Sequence, residues 1–198
     1  MTKIILLNGP PRSGKDFAGD LLRDETEDGA IVKFAQILKE RTHAFYDLCN
    51  PLTGKPYAHD RYEDCKDEPN DDFEGLTPRE AYIAISEQYV KPVHGEKQFG
   101  IWLADEMRCY DDAHFSPLIV TDSGFRPEAE VLVEEFGAEN IVLARIHREG
   151  CTFEGDARSY IDLADLGVRC VDVPNPGTPD EFLKLLQDLV LNPDSIQS

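Results

Sequence analysis

The sequence predicts an α/β fold: a parallel sheet of five strands flanked by helices and interrupted by one helical insertion. Two observations predict it. Short aliphatic runs alternate with segments of helical periodicity, the pattern of strands buried on both faces and joined by crossover helices. The first strand also runs through a glycine loop straight into a helix, which aims backbone donors at the carboxyl edge of the sheet. At 198 residues the chain suits one domain, with a core of 1–50 and 117–198 and an insertion over about 51–116.

Ile4 to Leu7 form the first strand candidate, and Asn8-Gly9-Pro10-Pro11-Arg12-Ser13-Gly14-Lys15-Asp16 follows as a loop. Phe17, Ala18, Leu21 and Leu22 then recur at helical spacing. Gly9 and Gly14 let the backbone turn tightly and approach an anion, while Lys15 adds positive charge, so the loop suits a polyphosphate. Pro10 and Pro11 remove two amide donors, which leaves the gripping to the half from Arg12 onward, Ser13 included. Asp16 stands where a hydroxyl residue normally ligates magnesium. Its carboxylate can hold the ion directly or through water, or cap the helix.

Ala30 to Phe34 read as the second strand, followed by a helix with Ile37, Leu38, Phe45 and Leu48 on one side and ending at Pro51. Residues 50–75 lose periodicity and gather eight acidic residues between Asp60 and Glu74 against Arg61 and Lys66. They read as a solvated loop or as a flap over a substrate whose charge Lys66 or Arg61 meets. Thr77-Pro78-Arg79-Glu80 is a capped helix start. Arg79 sits in its first turn, where the helix dipole disfavours a cation, so an anion held at that end explains it better than structure does. A further helix runs from about Lys97 to Cys109.

Pro117 to Asp122 are the third strand, with Asp122 at the carboxyl edge where a carboxylate can organise magnesium or take a proton. Arg126 opens the next helix at the same edge, and Gly137 stops it. Asn140 to Ile146 are the fourth strand. The polar connection 147–160 carries Arg148 and Arg158, cations suited to neutralising phosphoryl charge. Val168 to Val173 are the fifth strand, Pro174-Asn175-Pro176-Gly177 turn the chain, and Thr178 to Leu191 form a last helix, with a frayed tail expected after Pro193.

Composition excludes several classes. A formal net charge of −19 argues against a nucleic-acid duplex as partner. No apolar run approaches the ~20 residues of a membrane span, and nothing at the N-terminus resembles a signal peptide, so the expected location is the cytoplasm. The five cysteines, odd in number and widely spaced, read as reduced thiols.

In order and spacing, several stretches resemble the bacteriophage deoxynucleoside monophosphate kinases, P-loop enzymes whose loop the animal phosphomevalonate kinases partly share. The loop Gly9 to Asp16 is similar to that family's G-x-x-R-S-G-K-D, and Phe34 to Glu40 to its F-A-x-x-L-K-E. Leu76 to Glu80, Val120 to Asp122, Arg148 and Asn175 to Thr178 extend the likeness over nearly the whole chain. Arg126 stands further from Asp122 than the family's arginine, and Pro176 replaces its usual acidic residue.

The resemblance implies a P-loop NTPase fold of the nucleoside monophosphate kinase type, ATP as donor, Mg2+ as cofactor and a deoxynucleoside monophosphate as acceptor. Lys15, Arg12, Asp122 and Arg148 would be catalytic, and Gly9, Ser13, Gly14, Asp16, Asn175 and Gly177 would join Lys15, Arg12 and Arg148 at the nucleotide. Phe34, Lys66, Arg79 and Arg126 would meet the acceptor, and Asp16 and Asp122 the metal. A phage origin would make the cytoplasm that of the host, and a homodimer is left open. The alternatives are a kinase for another small phosphorylated acceptor, of the phosphomevalonate or dephospho-coenzyme A type, and a nucleotide-binding protein without catalysis. A GTPase switch would need an N-K-x-D motif, which the sequence lacks.

Overall fold

The computed structural model describes residues 2–191, so the tail expected to fray after Pro193 lies outside the described residues. Strands β1 (Ile4–Asn8), β2 (Ala30–Val32), β3 (Leu118–Val120), β4 (Ile141–His147) and β5 (Arg169–Pro174) form one sheet in the order β2-β3-β1-β4-β5. Every pairing is parallel; Leu6 of β1 lies level with Val120 on one side and Leu143 on the other. All five β1 residues are buried, as the unbroken aliphatic run requires of a central strand covered on both faces. The chain leaves β1, crosses past the place β3 will take, and returns to it later. The carboxyl end of β1 is therefore where the strand order reverses, the crevice at which open α/β sheets bind ligands.

Alternation along the strands divides the interior into two layers. Ile4, Leu6, Leu118, Val120, Ile141 and Leu143 point to one, shared with α2 (Phe34–Phe45), α5 (Gln98–Asp112) and α6 (Arg126–Phe136). Ile5, Leu7, Ile119, Ala144 and Ile146 point to the other, covered by α1 (Lys15–Asp24) and α7 (Pro179–Leu186). Helix α5 belongs to the main core, since Phe99, Leu103 and Met107 are buried beneath the sheet and α5 packs on α2 and α6. Ile85 and Val90, ahead of α5, are buried in the same core, so the segment 51–116 packs against the sheet side through both of its helical parts, while Tyr62, Phe73, Ala81 and Tyr82 form a cluster of their own.

Residues 50–75 are mostly exposed turns, pinned down by two buried rings, and lead into the expected helix. α3 (Pro78–Ala84) begins with the capping box of Thr77 and Glu80 that the sequence predicts, and passes through a π-helical turn, Ile85–Val90, into α4 (Lys91–His94). Tyr62 and Phe73, inside the acidic segment, bury their rings with Ala81 and Tyr82. The buried His43 of α2 joins them, its Nδ1 2.8 Å from the Tyr57 carbonyl and its Nε2 3.0 Å from the Tyr82 hydroxyl. Phe73 is wholly inaccessible and its ring meets those of Tyr46, Tyr62 and Tyr82. Phe73→Ala is expected to cost about 3–5 kcal/mol in urea denaturation. A loss under about 1 kcal/mol would mean that this cluster does not hold the segment together.

Candidate active site

The loop after β1 is shaped by what its neighbours leave room for. A Cβ on Gly9 would lie 2.8 Å from the Ile146 carbonyl and 2.8 Å from Ser13 Oγ, so only glycine fits there. Arg12 (φ 65°) and Gly14 (φ 98°) take left-handed conformations that turn the chain into α1, whose N-terminus has no side-chain cap. The α1 amides are left for an anion. Lys15, only 8% exposed, folds back so that Nζ donates to the Gly9 carbonyl at 2.7 Å and the Pro10 carbonyl at 2.8 Å. Burial, with the Arg158 guanidinium nearby, holds its ammonium below the ordinary lysine value. Asn175 braces the loop from β5: its Nδ2 donates to the Ser13 carbonyl (2.8 Å) and its Oδ1 accepts from the Gly177 amide (3.0 Å). The buried Asn8 ties the end of β1 to the two segments beyond β3 and β4. Its Nδ2 donates to the Ser123 and Ser159 carbonyls, and its Oδ1 accepts from the Ile161 amide.

Beside this loop opens a cleft of about 610 Å³. Arg12, Lys15, Lys33, Lys39 and Arg158 supply its positive charge, and Asp16, Asp60, Glu63 and Asp122 its carboxylates. Asp16 Oδ1 accepts from Lys33 Nζ (2.7 Å) and from Thr121 Oγ1 (3.2 Å), which leaves Oδ2 without a partner among the described residues. Burial raises the Asp16 carboxyl, but the Lys33 and Thr121 contacts overcome it and hold the group below the usual range. Arg158 is clamped by Asp156, with Nε to Oδ1 at 2.9 Å and Nη2 to Oδ2 at 2.6 Å. A Cβ on Gly124 would come within 2.4 Å of the Arg158 chain, so that glycine clears its path into the cleft.

No protein-family model matches the chain, and no curated protein matches it. Among solved structures it is similar to the crystal structure of a sugar kinase from Janibacter sp. HTCC2649, unliganded, at 14% identity and a TM-score of 0.52. The match covers 100% of this chain and 99% of that one. At that identity the likeness is one of fold: a parallel five-stranded sheet between helices.

The structure brings Arg12, Lys15, Asp16 and Asp122 together at the cleft, and Arg148 close by, its Nη1 3.4 Å from the Arg12 carbonyl. Asp122, however, is already occupied. Its Oδ1 accepts from the Phe34 amide at 3.0 Å and its Oδ2 from the Ala35 amide at 2.8 Å, so it caps the start of α2. Burial raises this carboxyl, opposed by those two amides and by Lys33 and Arg158. Phe34, expected beside the acceptor, is buried in the main core, and its amide donates to Asp122 at this edge.

Three other cations expected at the acceptor do not line the cleft themselves and are held in ion pairs, Lys66 with a carboxylate of the cleft wall. Arg79 Nε meets Asp67 at 2.6 Å, and Lys66 meets Glu63 at 3.2 Å. Arg126 is held by Glu130, Asp165 and the Asp162 carbonyl. Each found a carboxylate partner that the strongly acidic sequence supplies in excess. Sequence reasoning missed Lys33 and Lys39. Lys33 sits at the carboxyl edge beside β2, a position that could have flagged it, whereas Lys39 reaches the cleft from the second turn of α2 and pairs with Glu63, which no local pattern reveals.

Proposed function

We propose that this chain is a P-loop phosphotransferase that moves the γ-phosphate of ATP to a deoxynucleoside monophosphate, giving the diphosphate. One observation carries the reading: Lys15 lies folded on the carbonyls of a glycine-turned loop at the carboxyl end of the central strand, at a cleft whose other cations are Arg12, Lys33, Lys39 and Arg158. The strand order and the resemblance of Gly9 to Asp16 to the phage kinases support it, as does the kinase named among structures of similar fold.

On this reading the loop amides from Arg12 onward and the Lys15 ammonium hold the donor's β and γ phosphates. Arg12, Arg148 and Arg158 neutralise charge on the equatorial oxygens of the moving phosphoryl group. Lys33 and Lys39 attract the acceptor's phosphate. The attacking oxygen is already ionised, so the site needs positioning and charge neutralisation rather than a base. A sugar hydroxyl, the acceptor class of the fold neighbour's name, would gain little from those lysines. Lys33 and Lys39 are themselves paired, with Asp16 and Glu63, but within the cleft, whereas Arg79, Lys66 and Arg126 do not line it and would also have to exchange carboxylate partners to reach an acceptor.

The donor set fits magnesium, because Asp16 offers an unpartnered, exposed carboxylate oxygen at the loop's end and the ion takes one or two carboxylates beside phosphate oxygens and waters. Held there by Asp16, the ion would supply positive charge beside the donor phosphates. Asp122, with both oxygens on amides, would act through water or by fixing α2.

Two measurements test these assignments. ADP release across all ribo- and deoxynucleoside monophosphates is expected to show turnover with deoxynucleotides, and no turnover with any of them would sink the reading. Asp16→Asn is expected to raise the magnesium concentration for half-maximal rate by about tenfold while moving the ATP requirement much less. An unchanged metal requirement would reduce Asp16 to a partner of Lys33.

A further inference from the structure

A second cavity, of about 390 Å³, opens at the amino ends of β1, β4 and β5, the opposite end of the sheet from the cleft, and shares no lining residue with it. Strand register explains its make-up. Ile5, Val142 and Arg169 lie level on three neighbouring strands and so share one face of the sheet, the face covered by α7 and by the π-helical turn that follows it, Gln187–Leu191. Pro117, Ala138, Val190 and Leu191 extend the apolar wall.

Arg169 is out of place on such a face. Its Nη2 donates to the Leu189 carbonyl at 2.6 Å, whereas its Nη1 is buried with no hydrogen-bond partner among the described residues. No carboxylate among the described residues pairs with it, although the chain carries 39 acidic side chains. Native structures leave few buried donors unmet, because water has been stripped away and nothing replaces it. The other charges at the cavity do not answer this one. Lys3 is a second cation, its Nζ 3.3 Å from the Glu139 carbonyl, and the Glu139 carboxylate lies against Gly137, where an added Cβ would come within 2.7 Å of Oε1.

A ligand that completes this site has an apolar body for the wall and one anionic group for the guanidinium. We propose that the cavity binds a medium-chain carboxylate, with its hydrocarbon tail against Ile5, Val142 and Val190 and its carboxylate on Arg169 Nη1. Lys3 adds attraction at the rim. A phosphate ion makes no use of the apolar wall, an alcohol brings no charge to the guanidinium, and an amine brings the wrong one. The site takes none of the residues assigned to the phosphates, so it and the phosphotransfer reading can fail separately.

Octanoate is the probe, titrated calorimetrically into the full chain, with octylamine and acetate reporting on tail and head alone. Octanoate is expected to saturate one site per chain, and octylamine and acetate each to bind at least ~30-fold more weakly. In amide NMR spectra of the wild-type chain, octanoate should shift Ile5, Val142, Gly167 and Arg169 and leave Gly9 and Gly14 unmoved. Arg169→Gln keeps a donor for the Leu189 carbonyl but removes the charge, and should weaken octanoate by at least ~10-fold. Should that variant not fold, the wild-type comparison of octanoate with octylamine and the map of shifted amides still decide. Equal binding of octanoate and octylamine, shifts gathered elsewhere, undiminished affinity in folded Arg169→Gln, or no saturation by octanoate would each overturn the proposal.

Discussion

Lys15→Met is expected to lower phosphoryl transfer by at least ~1,000-fold, about 4 kcal/mol of barrier, while leaving the protein folded. The lysine is nearly buried and its ammonium rests on the Gly9 and Pro10 carbonyls, so it is positioned before any ligand arrives. Those carbonyls are the wrong partners for a permanent structural role: both belong to the loop the lysine would serve, and neither connects distant elements. A phosphate oxygen offers a charged acceptor in their place. Methionine keeps the length of the side chain and removes the buried charge, so the thermal midpoint should hold or rise slightly. Single-turnover transfer from ATP is the direct measurement, and near-normal turnover in a folded variant would mean that this loop does not carry the chemistry.

The second large effect is on stability. Glu128 in α6 is 4% exposed, and burial, with Asp122, Glu96 and Glu87 nearby and Lys91 opposing, pushes its carboxyl up to about 8. A carboxyl raised in the folded state binds a proton that the unfolded chain gives up near its ordinary value of 4.5. The folded state is then favoured by this group at pH below 4.5, and that contribution drains away as pH climbs from 4.5 toward about 8. The wild-type protein is therefore expected to lose on the order of a few kcal/mol of this contribution between pH 5 and 8. Glu128→Gln, neutral at every pH, should flatten the profile and be the more stable of the two at pH 8. Urea midpoints at several pH values decide it; parallel profiles for wild type and variant would show that Glu128 does not titrate in this window.

Much of this molecule was legible locally. The aliphatic run Ile4 to Leu7, the glycines at 9 and 14 and the capping box at Thr77 and Glu80 act within a few residues of themselves, and the structure forms each as read. The acidic segment is mostly turns with exposed carboxylates, as its composition indicates, but it is anchored by two rings, Tyr62 and Phe73, whose partners His43 on α2 and Tyr82 on α3 lie outside the segment. Helix α5 reads from the sequence as part of an insertion lying against the sheet, and its apolar face does pack there, with Phe99, Leu103 and Met107 in the main core.

Sequence alone determined the strand–loop–helix at the N-terminus, the alternation of strands and helices, and the residue types able to hold a polyphosphate. Backbone propensity, glycine's freedom and helix capping are short-range, so they are written where they act. Only the tertiary structure decided which charges face the cleft. Asp122 finds its amides 87 and 88 residues away, Arg79 its carboxylate 12 away and Arg126 one of its own 39 away, whereas Lys33 and Lys39 come to the cleft beside the loop after β1 from the end of β2 and from α2. In a chain with 39 acidic and 20 basic residues nearly every arginine and lysine can be satisfied by some carboxylate, and which one it meets depends on distances set only when the sheet closes.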